Sequence, residues 1–146
     1  MSKRHTLIKN TKPNDHAYLV TIGTDMGQFI GLVECREEDW DHESRYFGFE
    51  LAEIKAEIQY ARAKRNYYSA QLKALTEFWR DMSTTRTFDT EDFWVKKMRI
   101  KVDDIENTKR FWENRIKYLK ECYHLKIVTF DSLNAKRNRC KEHNND

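Results

Sequence analysis

The sequence predicts an α+β chain: a long antiparallel two-helix coiled-coil hairpin with a small three-stranded antiparallel sheet. Three observations predict it. Apolar residues recur at 3-4 spacing through two long stretches in the middle of the chain. β-branched and aromatic residues gather in short runs outside them. Gly and Pro, the usual punctuation of many-stranded folds, number only four and one in 146 residues. The length suits a single domain. Charged residues make up 35% of the chain, a fraction that favours disorder, but 13% aromatic content supplies enough large apolar side chains for a core.

Residues 1–16 are polar and basic (Lys3, Arg4, Lys9, Lys12) and read as a flexible lead-in ending near Pro13. Residues 17–23 and 28–34 are β-branched and aromatic runs across a short Gly-containing connection, which predicts a β-hairpin over 17–34. Both faces of the hairpin are largely apolar, so cover on each is expected. Gly23, Gly27 and Gly31 recur every four residues around its turn. No Lys-Ser/Thr follows and no helix opens there, so hairpin geometry accounts for them better than a phosphate loop. Residues 35–47 read as an acidic loop around Trp40.

Helix 1 is expected over 48–82. Its seam is Leu51, Ile54, Ile58, Ala61, Arg65, Tyr68, Leu72, Leu75, Trp79 and Met82. Helix 2 is expected over 91–124, with seam residues Val95, Met98, Val102, Ile105, Lys109, Trp112, Ile116, Leu119 and Tyr123. Sustained 3-4 spacing of this length is the mark of a coiled-coil seam. The connection, 83–90, ends in Asp89 and Thr90, which can cap a helix whose first turn holds Glu91 and Asp92. So short a connection forces antiparallel neighbours. Pairing Met82 with Val95 places Arg65 opposite Trp112 and Tyr68 opposite Lys109. Each cation then meets a ring, worth about 0.5–2 kcal/mol, while a one-heptad slip strands Arg65 in an apolar layer. On this reading Leu72→Ala costs about 2–5 kcal/mol as a core truncation. A third strand is expected over 125–130 and a frayed basic tail over 131–146.

The side of helix 1 opposite its seam is not charged. It reads Ala56, Tyr60, Ala63, Tyr67, Ala70, Ala74, and helix 2 shows a weaker version at Ile100, Phe111 and Tyr118. An apolar outer face implies burial or interaction. The sheet, a second copy or a different protein can each cover it, and a homodimer through this face is expected.

Charge is segregated. Residues 34–53 carry two basic and eight acidic groups, −6, so the remainder carries +9 against the chain's +3. Glu37, Glu38, Asp39, Asp41 and Glu43 form a candidate acidic surface, suited to a basic groove or to imitation of nucleic-acid phosphate. Arg62, Lys64, Arg65, Lys109 and Arg110, with Lys136, Arg137 and Arg139 of the tail, form a candidate basic surface. Catalysis near Glu37, Asp39, Asp41 and His42 lacks a second carboxylate cluster to complete a site. No C-x-x-C or H-x3-H spacing supports a structural metal, and no strand-turn-helix elbow surrounds a Ser. No metal, cofactor or catalytic residue is therefore expected.

Three cysteines at unrelated spacings suit reduced thiols in a cytoplasmic protein, and no apolar run approaches the roughly 20 residues of a membrane span. A two-helix rod offers surfaces and few concave sites. The leading expectation is a non-catalytic protein-interaction module that binds or obstructs a larger macromolecular complex. Its composition is similar to that of phage accessory proteins, including inhibitors of bacterial defence complexes. The alternative is nucleic-acid binding through the basic belt and tails, directly or within a ribonucleoprotein complex.

Overall fold

The computed structural model describes residues 2–9, 16–35, 42–85 and 93–144. Five elements follow in order: β1 (Ser2–Lys9), β2 (His16–Thr24), β3 (Gly27–Cys35), α1 (His42–Thr85) and α2 (Phe93–Asn144). The α+β class holds, with two long helices and a three-stranded antiparallel sheet in the order β1-β2-β3.

The hairpin of β2 and β3 closes on Thr24 paired with Gly27. The Thr24 hydroxyl accepts from the Met26 amide at 3.1 Å and donates to the Gly27 carbonyl at 2.8 Å. Gly27 has φ +108°, a conformation that side chains oppose, so the turn needs glycine there.

Two expectations about the sheet are corrected. Residues 2–9 are a strand and not a flexible lead-in: β1 pairs along β2 from Ser2↔Gly23 to Lys9↔His16. Its side chains are mostly polar, and backbone pairing to an open sheet edge does not require apolar ones. Residues 125–130, expected as the third strand, continue α2, as does the expected basic tail as far as Asn144. No Gly or Pro interrupts the sequence from 93 to 144, so the helix propagates one bond per residue through a β-branched run. Helix α1 likewise starts earlier than expected, at His42, inside the segment read as a loop. The connection expected over 83–90 is helical up to Thr85. The cap residues Asp89 and Thr90, with Glu91 and Asp92, lie outside the described residues.

The chain divides into two compact units, Met1–Gln59 with Lys117–Asp146, and Tyr60–Ile116. In the first, the sheet lies on α1. Antiparallel pairing places Lys3, His5, Leu7, Tyr18, Val20, Ile22, Phe29, Gly31 and Val33 on one sheet face. That face meets the helix. Phe49 takes edge-on contacts from Tyr18 and His5, with ring centroids 5.0 and 5.3 Å away. Two glycines permit the approach. A Cβ on Gly31 would lie 1.7 Å from the Ala52 carbonyl oxygen, and one on Gly48 would lie 2.3 Å from the Tyr18 ring. Val20, Ile22, Ala52 and Ala56 are consequently buried. Lys3 hydrogen-bonds Glu53 and lies 3.8 Å from Glu57. The Glu53 carboxylate holds the Lys3 ammonium above its ordinary pKa, against an opposing effect of burial.

Another side of the same stretch of α1 faces α2. Leu51, Ile54, Ile58 and Leu119 are buried, Lys126 bonds Glu50 at 2.6 Å, and Lys55 lies over the Tyr123 ring at 5.7 Å. Lys55 also donates to the Leu32 carbonyl of β3 at 3.2 Å. This stretch of α1 is thus covered on two sides, and each fully buried aliphatic side chain contributes about 1.5–3 kcal/mol. The outer sheet face differs from expectation. Ile8, Ile30 and Leu32 stand exposed on it, while Ala17 on the same face is buried, so among the described residues the outer face is covered only in part.

In the second unit the two helices again run antiparallel. Trp112 meets Tyr60 edge-on at 5.4 Å, and residues 71–78 share a cavity with 101–105. The expected cation–ring layers do not form. Arg65 donates from Nε and Nη2 to Asn66 Oδ1 at 3.3 Å each, Lys109 lies 3.8 Å from Glu113, and Trp112 stacks against Tyr60 and Phe111. Both cations stay at the solvated margin, which spares them the cost of burial, while the indole takes aromatic neighbours. The expected coiled-coil seam therefore lacks the two layers that were to set its register.

Candidate interaction surface

The outer face of α1, the strongest functional signal in the sequence, divides between the two units. Ala56 is fully buried beneath β3 and takes no part in any free surface. In the second unit Tyr60 and Ala63 are half-buried, Tyr60 against Trp112. Lys64 lies 5.8 Å over the Tyr60 ring. Past that point the face opens. Tyr67 is 48% exposed, and Ala70 and Ala74 are exposed.

Phe78, 54% exposed, extends this row and was absent from the sequence reading. The signal was available, since 67, 70, 74 and 78 fall on one helix face at 3-4-4 spacing. Tyr67 is held in place: Gln71 donates to its hydroxyl at 2.9 Å, and Tyr68 packs edge-on at 5.2 Å.

Beside this row, between α1 and α2, lies a groove with a cavity of about 380 Å³. Ala74, Leu75, Phe78 and Ile105 line it, with Gln71 and Lys101 as the polar contributors. On α2, Phe111 is 59% exposed in this unit, and Tyr118 is 56% exposed in the first unit. The structure therefore gathers Tyr67, Ala70, Ala74 and Phe78 on one helix row and leaves Ala56 and Tyr118 in a different unit.

Of the basic candidates, Arg62 and Arg110 are exposed, and Lys64, Arg65 and Lys109 are half-buried, all in the second unit. Residues 60–81 and 95–116 carry twelve basic and six acidic groups. Lys136, Arg137 and Arg139 belong to α2. Of the acidic candidates, Glu37, Glu38, Asp39 and Asp41 lie outside the described residues, and Glu43 falls in the first turn of α1. Among the described residues no helix is long and apolar enough to cross a membrane. Comparison with protein-family models, curated proteins and solved structures finds no match.

Proposed function

We propose that this chain is a non-catalytic protein-interaction module that binds or obstructs a larger macromolecular complex, in the manner of a phage-type accessory inhibitor. One observation carries the reading: Tyr67, Ala70, Ala74 and Phe78 form a solvent-facing apolar row on the helix that buries Leu51, Ala52, Ile54, Ala56 and Ile58. Exposed tyrosine and phenylalanine beside small residues make a surface that a partner element can approach closely. A second copy of the chain is another occupant this row admits.

The test is capture from the native host by wild type and by Tyr67→Glu, with far-UV circular dichroism to verify equal helicity. The variant loses the captured partner while its helicity is unchanged. Identical capture by both proteins overturns the reading. Sedimentation velocity of the same pair tells whether the row also joins two copies.

The excess of basic groups in the second unit, thirteen to nine, supports a different reading, nucleic-acid binding in a cytoplasmic ribonucleoprotein setting. Arg62, Lys64, Arg65 and Arg110 would contact phosphate. Titration of DNA and RNA binding against salt separates the two, because phosphate contacts release counterions and weaken steeply as salt rises.

A further inference from the structure

We draw no further inference here: the strongest candidate, the groove between α1 and α2 lined by Ala74, Leu75, Phe78 and Ile105, belongs to the surface already described, and nothing in the structure shows what covers it.

Discussion

The two halves of α1 follow one sequence pattern and reach different ends. Over 51–58 the seam row and the opposite row are both buried, because α2 covers one and the sheet covers the other. Over 65–79 the seam residues Leu72, Leu75 and Trp79 are only half-buried, and the opposite row is open. Small residues at 52 and 56 serve close contact between strand and helix. Those at 70 and 74 present the same chemistry to solvent. The lesson is that an alanine-rich helix face specifies close approach, and only the rest of the chain decides whether the approaching element is its own.

The largest test of this contrast is Gly31→Val. A side chain there must displace the Ala52 backbone, so the sheet separates from α1 at a cost of about 3 kcal/mol or more, read as a lower urea midpoint. Next come two truncations of the seam. Ile58→Ala, in the doubly covered half, costs about 2–4 kcal/mol. Leu72→Ala, half-buried, costs about 1 kcal/mol, less than the sequence reading implied. Equal losses at the two positions would erase the distinction between the halves.

The smallest effect concerns Lys3. Its folded-state pKa is raised by the hydrogen bond to Glu53, so the stabilisation is complete below the unfolded value near 10.5 and is lost as pH rises through the folded one. Both side chains are partly exposed, 38% and 27%, which limits the contribution to less than about 1 kcal/mol. Denaturation midpoints of wild type and Lys3→Met therefore differ slightly at pH 8 and converge above pH 10.5. A gap that persists at high pH would show that Lys3 acts by packing its stem instead.

Much of the fold was legible because it rests on periodicity. The 3-4 rows located both helices, and alternation in residues 17–34 located β2 and β3. The rest depends on contacts between distant segments. β1 has polar side chains, and its place follows from the open edge of β2 and from Glu53 beside Lys3, neither visible in residues 2–9 alone. Residues 125–130 have β-branched character, yet Lys126 sits where α2 can reach Glu50, and helix continuation wins. The site was half legible: the tyrosine and alanine spacing marked a special face, but only the structure divides it at Ala56 and adds Phe78. The cation–ring layers failed because pairing by spacing ignores where a long charged side chain finds water.

The first unit is assembled from two stretches of chain far apart in sequence, Met1–Gln59 and Lys117–Asp146. During synthesis, the ribosome must therefore deliver all of Tyr60–Ile116 before Leu119 arrives to cover Ile54 and Ile58. At about 5–20 residues per second that interval lasts several seconds. Throughout it the nascent helix shows bare aliphatic side chains to the cell, and a chaperone that recognises such surfaces has its opening then, before Leu119 exists.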